Sequence, residues 1–336
     1  MAGRTLCISF ALAALVCQPA NAQQTILAAN ALFDLSVSTG VMSMSSKEIV
    51  YAARGNRYGS PAGALESRLD WRTRAAGTAA LTLGVNALPR TRLETSLLLP
   101  IVGGDGKMTD VDWLNPATYP RWSDRSQHPD TRLGRAFTLD LKALRRVYES
   151  EGFSLDAVAG LRHVEQQWTA YGGRFVYTEK TRGACDYGAA PPVYLGDGVP
   201  RNCIGAFDPV AQIAFRQRFE TPYLGLRLGY AVGRWALSAD LVGSPFVVAR
   251  DRDLHVGATV FDDQFRNQKM LGLTARAGYA LARNVQFFLE ADSQSYFLRK
   301  GLGVSHPIGG GRAGSYTAGL DLRAQRLSAG VRLALD

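Results

Sequence analysis

Two short acidic runs carry residue types suited to moving protons or holding cations: Asp110-Val111-Asp112 and Asp251-Arg252-Asp253-Leu254-His255. In an extended chain successive side chains point to opposite faces, so Asp110 and Asp112 share one face, as do Asp253 and His255. Paired carboxylates, or a carboxylate beside an imidazole, serve general acid–base chemistry, ligate a cation, or merely solvate a loop, and spacing alone leaves these readings open. Other features narrow them. No spaced Asp/Asn/Gly loop of the calcium-binding kind is present. The chain has four histidines and no His-Glu-x-x-His helix, which argues against zinc. The Gly-x-Ser-x-Gly turn of serine hydrolases is missing.

The elements that must position these groups are strands. The body of the sequence alternates with period two in many separate segments, the mark of a membrane barrel. From Leu69 the odd positions run Leu69, Trp71, Thr73, Ala75, Gly77, Ala79, Leu81, Leu83, Val85, which reads as one lipid-facing row against Arg68, Asp70, Arg72 and Arg74. Trp235, Leu237, Ala239 and Leu241 oppose Ser238 and Asp240, and Leu271, Leu273, Ala275, Ala277 and Tyr279 oppose Thr274 and Arg276. Val285, Phe287, Leu289 and Ala291 oppose Gln286, Glu290, Asp292 and Gln294, charges that a soluble sandwich core would not accept but a polar lumen would. The pattern predicts an all-β fold, a ten-stranded antiparallel transmembrane β-barrel. Its strands lie near 31–46, 66–87, 90–103, 133–148, 153–178, 207–229, 234–250, 266–281, 284–299 and 315–335. The last strand changes parity near Gln325-Arg326, which predicts a β-bulge there.

Connections alternate in length. The stretches 47–65, 104–132, 179–206, 251–265 and 300–314 are long, whereas Leu88-Pro89, Glu149 to Gly152, Ala231 to Gly233 and Ala282-Arg283 are tight. Long loops are expected outside and tight turns in the periplasm. Glu48, the Asp110 pair and the Asp253-His255 pair all fall on the outer side.

Residues 1–22 hold one Arg, an apolar run from Leu6 to Val16 and Ala20-Asn21-Ala22, the pattern of a cleaved secretory signal, leaving 23–336 as a single barrel domain. Without Arg4 the formal charge of +9 becomes about +8. The arginines are spread along strands rather than gathered in tracts, so anionic lipid headgroups are a better partner than nucleic acid. Cys185 and Cys203 remain in a Gly/Pro-rich stretch and are expected to form a loop disulfide, since a metal site lacks two further ligands nearby and a catalytic thiol lacks a dedicated histidine.

The run Gly106-Lys107-Met108-Thr109-Asp110-Val111-Asp112-Trp113, with Trp122-Ser123-Asp124 and Ser126-Gln127-His128-Pro129-Asp130-Thr131, closely resembles the omptin family. Further matching segments are Ser46-Lys47-Glu48-Ile49-Val50-Tyr51, Leu69-Asp70-Trp71, Gly172-Gly173, Arg216-Gln217-Arg218-Phe219 with Pro222-Tyr223, and Asp253-Leu254-His255. The resemblance implies an outer-membrane endoprotease of a Gram-negative bacterium that cuts polypeptides at basic sites, most of all dibasic ones. It makes Asp110 with Asp112 and Asp253 with His255 the catalytic groups around a nucleophilic water, with no metal and no covalent intermediate. It implies that Glu48 and Asp251 line the pocket for the basic residue before the cut, and that Asp124 serves a basic residue after it. Ser126 and His128 are secondary candidates near the cleft. Omptins also need lipopolysaccharide, and Arg218 and Arg266 fall at matching positions for it, whereas the strand that usually carries a Tyr, Glu, Arg triplet reads Leu161, His163 and Glu165. A monomer is expected. The competing readings are an adhesin or receptor-binding barrel, a small porin, and a lipid-modifying barrel enzyme.

Overall fold

A tilted strand of about 9–11 residues crosses a bilayer. Most strands here are about twice that long, so half of each must stand clear of lipid. The computed structural model describes residues 31–53, 61–178, 195–201 and 203–335, and contains fourteen strands and no helix among them. They are β1 (Phe33–Tyr51), β2 (Leu65–Leu88), β3 (Thr91–Val102), β4 (Asp105–Asp112), β5 (Asp124–His128), β6 (Asp130–Ser150) and β7 (Phe153–Tyr171). The remainder are β8 (Arg174–Tyr177), β9 (Cys203–Ala206), β10 (Ala211–Val232), β11 (Trp235–His255), β12 (Thr259–Ala282), β13 (Val285–Pro307) and β14 (Gly314–Leu335). The expected signal segment, 1–22, lies outside the described residues.

All pairings are antiparallel, and the sheet closes because β1 pairs with both β2 and β14. The ring runs β1, β2, β3, β6, β7, β10, β11, β12, β13, β14. Where ten strands were expected, four further short ones are present: β4 and β5 arise from the stretch read as loop 104–132, β9 from the stretch read as loop 179–206, and β8 from the end of the strand read as 153–178, which breaks at Gly172-Gly173. Their cause is a mismatch in length. β2 has 24 residues and β3 only 12, so the edge of β2's outer half away from β1 is left open until β4 folds back along it, from Arg74↔Asp105 to Ser67↔Asp112. β5, β8 and β9 continue that outer flap. The opposite end closes tightly; at the β6–β7 turn Glu151 and Gly152 both take positive φ, 44° and 84°, the two-residue turn whose twist suits a hairpin.

Outward-facing Val37, Val41, Leu224, Leu226, Leu237, Leu241, Leu327 and Val331 form an exposed apolar band. Above it the outward residues become basic, with Lys47, Arg218, Arg250, Arg252 and Arg323 all exposed. The groups of the candidate site lie beyond this band.

Two parity readings are corrected. Leu69, Trp71 and Thr73 are buried inside the barrel and do not share a lipid-facing row with Leu81 and Leu83, which are exposed outward. A bulge separates the two halves: the β1–β2 register shifts between Met42 and Met44, and Ala75 takes φ 52°. Arg72 and Arg74 therefore point outward, not into the lumen. The bulge expected in β14 is absent, since its register with β1 runs unbroken from Phe33↔Leu335 to Tyr51↔Thr317. Leu320 and Leu322 looked out of phase because they face an apolar layer inside the barrel.

That layer closes the lumen. Trp71 stacks on Phe215 at 5.2 Å and on Trp168 at 6.2 Å, Phe219 packs on Tyr296 at 4.5 Å, and Met42, Phe265 and Leu322 join the same cluster. Trp168 Nε1 donates to Thr73 Oγ1 at 2.8 Å, so a polar edge buried here has its partner. Below the layer is a cavity of ≈ 930 Å³ where Asp34, Glu94, Asp240 and Glu290 are tied to bases and Asp292 accepts from Thr274 and Gln294. Asp34 sits between Arg92 and Arg332, Glu94 and Asp240 share Arg227 and Lys142, and Glu290 is held by Arg276 and Arg326. An aromatic floor across the lumen does not suit a porin. Trp71→Ala should lower the unfolding free energy by about 3–5 kcal/mol, read from urea titration of the folded barrel; an unchanged midpoint would count against this layer as a core.

Candidate active site

Register places the acids. Asp110 lies opposite Leu69 and Asp112 opposite Ser67, so β4 sets both along the outer half of β2. Leu69 is in turn opposite Glu48 on β1. Across the mouth Asp251 lies opposite Gln217 on β10 and Asp263 on β12, while Asp253 lies between Phe215 and Phe261. Alternation on β11 turns Asp251, Asp253 and His255 inward and leaves Arg250 and Arg252 outside.

The structure brings together Glu48, Asp110, Asp112, Asp251, Asp253 and His255, and adds three residues that sequence spacing does not disclose. Ser67 Oγ donates to Asp110 Oδ1 at 3.3 Å. Asp263 is 1% exposed and accepts from Tyr316 Oη at 2.5 Å. A signal for Asp263 existed in the hairpin: once the β11–β12 turn is set at Val256–Ala258, position 263 must face Asp251. The sequence reading placed 251–265 in a loop and so lost that register.

His255 Nε2 lies 2.7 Å from Asp253 Oδ2, and its ring meets Phe261 edge-on at 5.2 Å. Burial pulls the imidazole pKa down, but Asp253 and then Asp110 and Asp112 outweigh it and push it up to about 9. Asp253 is fully buried, whereas the His255 side chain is 31% exposed and so reaches the mouth. Glu48, Asp251 and Asp112 are also pushed up, above the ordinary carboxylate range. Burial first, then Asp253, Asp251, Asp263 and Asp110, hold Glu48 well above the usual range. Burial and Asp263 do the same to Asp251, and burial and Asp110 to Asp112. Crowded, desolvated carboxylates cannot all ionise together.

Asp124 is 2% exposed; its Oδ1 accepts from the Thr178 N–H at 2.9 Å and its Oδ2 from Ser123 Oγ at 2.8 Å. It stands opposite Asp112 in register and adds negative charge behind it. Ser126 Oγ and His128 Nε2 are 3.0 Å apart, but both side chains are buried, and His128 is stacked on Phe207. This pair supports β5 from within. Arg218 lies on the outer wall with Nε 2.8 Å from Glu165 Oε2, beside Arg216, and Arg266 is exposed above the band. His163 contacts Glu220 at 2.6 Å. Cys203 is disulfide-bonded; Cys185 lies outside the described residues. No group of three or more His, Cys, Asp or Glu among the described residues has metal-holding geometry.

A closed transmembrane barrel with a cluster of acids and an Asp–His pair at its outer mouth defines the class of outer-membrane β-barrel hydrolases. The sequence profile of the Omptin family matches residues 29–335, and the chain belongs to that family. It is 28% identical over 306 residues to the plasminogen activator of Yersinia pestis, covering 87% of this chain and 89% of that one. It is 27% identical to the outer membrane protease IcsP of Shigella flexneri, covering 79% and 77%. The crystal structure of the outer membrane protease OmpT from Escherichia coli has the same fold, with a TM-score of 0.79, 23% identity, and 90% and 96% of the two chains covered. The protein is an outer-membrane protease, and its substrates are polypeptides.

Asp253→Asn should lower the His255 pKa from about 9, because the nearest opposing charge is removed while burial remains. A histidine-resolved NMR titration checks this, and an unmoved pKa would show that the ion pair does not set the imidazole's charge.

Proposed function

We propose that the protein is an endopeptidase that cleaves beside basic residues, preferring dibasic sites, by water activated between the Asp253–His255 pair and the Asp110–Asp112 pair. The observation that carries this reading is a set of buried acceptors without cations. Glu48 Oε2 and both carboxylate oxygens of Asp251 have no basic partner among the described residues, whereas Glu94, Asp240 and Glu290 of the lower lumen are tied to bases. Buried charge is costly unless it is paired. A substrate guanidinium or ammonium would supply the missing partner, leaving its scissile bond beside His255.

In this mechanism Asp253 orients the imidazole through Nε2, leaving Nδ1 to take a proton from water. Asp110, steadied by Ser67 and backed by Asp112, holds the water. The hydroxide oxygen bonds to the carbonyl carbon, the C=O electrons move to oxygen, and collapse expels the amine, which takes the proton from His255. Asp124 supplies field rather than contact at its buried position, in keeping with a preference for a cation after the cut. The basic outer wall around Arg218 and Arg266 suits lipopolysaccharide phosphates, and a monomer fulfils every step.

A base at the cleavage step must be neutral. A substrate cation in the acidic pocket offsets the negative field that stabilises the imidazolium, so its pKa should fall on binding. The rising limb of kcat against pH should therefore lie below that of kcat/KM, and coincident limbs would contradict the coupling. His255→Ala should reduce cleavage of an Arg-Arg peptide about 10²–10⁴-fold, with the barrel still folded by gel mobility and lipopolysaccharide supplied. Full activity of that variant would remove His255 from the mechanism.

A further inference from the structure

We propose that Asp263, held by Tyr316, is a third carboxylate of the pocket for the basic side chain and makes that pocket select arginine over lysine. The proposal rests on the reading that Glu48 and Asp251 receive the substrate cation. It begins from the fact that Asp263 is 1% exposed and that its Oδ2 meets no basic group among the described residues.

The position is built rather than incidental. Tyr316 reaches in from β14 to donate to Asp263 Oδ1 at 2.5 Å, fixing the carboxylate so that Oδ2 remains for another donor. Space for this pair is made on β13, where a Cβ at Gly303 would lie 2.3 Å from the Tyr316 ring and 2.6 Å from Asp263 Oδ1. Only a residue without a side chain leaves both groups where they are. Asp251 faces Asp263 directly across the β11–β12 ladder.

The acceptor count favours a guanidinium. Asp253 is met by His255, which leaves Glu48 Oε2, Asp251 Oδ1 and Oδ2, and Asp263 Oδ2 as carboxylate oxygens with no basic partner among the described residues. A guanidinium has five N–H donors in a planar fork, which bridges two or more carboxylates, whereas an ammonium has three donors around a strongly hydrated point charge. Without Asp263 the pocket keeps enough acceptors for lysine. With it, a lysine leaves a buried oxygen unanswered.

The neighbours also explain how the free pocket tolerates such crowding. Asp263 faces Glu48 from β1, Asp251 and Asp253 from β11 and Tyr316 from β14, with Asp262 adjacent on its own strand; its β13 neighbour is Gly303. Burial, with Asp253 and Asp262, pushes its pKa up to about 7, against the pull of Tyr316. Around neutral pH a proton is therefore retained between Asp251 and Asp263 in the empty pocket. An arriving guanidinium displaces that proton to solvent, and charge in the pocket stays balanced.

The test uses the full refolded protein with lipopolysaccharide and a peptide set that differs only before the cut: arginine, lysine, or neutral citrulline. Wild type, Asp263→Asn, Tyr316→Phe and Asp262→Asn are compared by kcat/KM. Asp262 faces outward and contacts Arg252 at 3.6 Å, so its variant removes a charge that acts on the pocket from a distance while leaving every pocket acceptor in place. Asp263→Asn should lower kcat/KM for arginine by about tenfold to a hundredfold and for lysine by much less. Tyr316→Phe should shift the arginine-to-lysine ratio in the same direction, and Asp262→Asn should leave it unchanged. Equal losses for both peptides, an unchanged ratio, or the same shift in Asp262→Asn would overturn the proposal. If wild type cleaves citrulline peptides as well as arginine peptides, the basic-residue reading fails instead.

Discussion

Closure of the sheet is the constraint on which everything else depends. In lipid no water answers a backbone N–H or C=O, so each strand must find a partner on both sides. The pairing of β1 with both β2 and β14 meets that need and creates an interior isolated from the bilayer. Once an interior exists, alternate residues of each strand must fill it, and the polar ones must be satisfied there. The site at the mouth is one consequence of that requirement, and the ion pairs below are another.

The two halves of the lumen solve the problem of buried charge differently. Below the aromatic layer, Arg227 lies between Glu94 and Asp240, and Arg276 meets Glu290. Those acids are closed by bases of the same chain. Above the layer, Glu48 and Asp251 have carboxylate oxygens with no basic partner among the described residues, and Asp253 is met by His255. Burial, with their negative field, holds Glu48 and Asp251 above the usual carboxylate range, and that field raises the pKa of His255. A fold keeps such an arrangement only where the cost is offset elsewhere, and the long ladders of β11, β12, β13 and β14 fix the positions of those side chains against it.

The bulge in β2 links core to site. With Ala75 at φ 52°, one strand presents Leu81 and Leu83 to lipid and, above the bulge, turns Leu69 and Trp71 inward. Trp71 then completes the floor, and Leu69 stands between Glu48 on one side and Asp110 on the other. A single extra residue thus converts a membrane strand into a support for two of the acids.

The sequence by itself determined the barrel, since period-two alternation with charged inward positions has no other stable place in a membrane, and it determined which residues stand at the outer mouth, since loop length sorts the two ends. It also carried the family in contiguous runs such as Thr109 to Trp113, where local order suffices. Only the tertiary structure decided that Trp71 and Leu322 face inward, because parity holds along a strand but not across a bulge, and an apolar layer inside a barrel has the same composition as an apolar face outside it. Only it decided that Asp263 and Tyr316 stand with Asp251, because they come together through register between strands, and a one-residue change in a turn would turn either of them away.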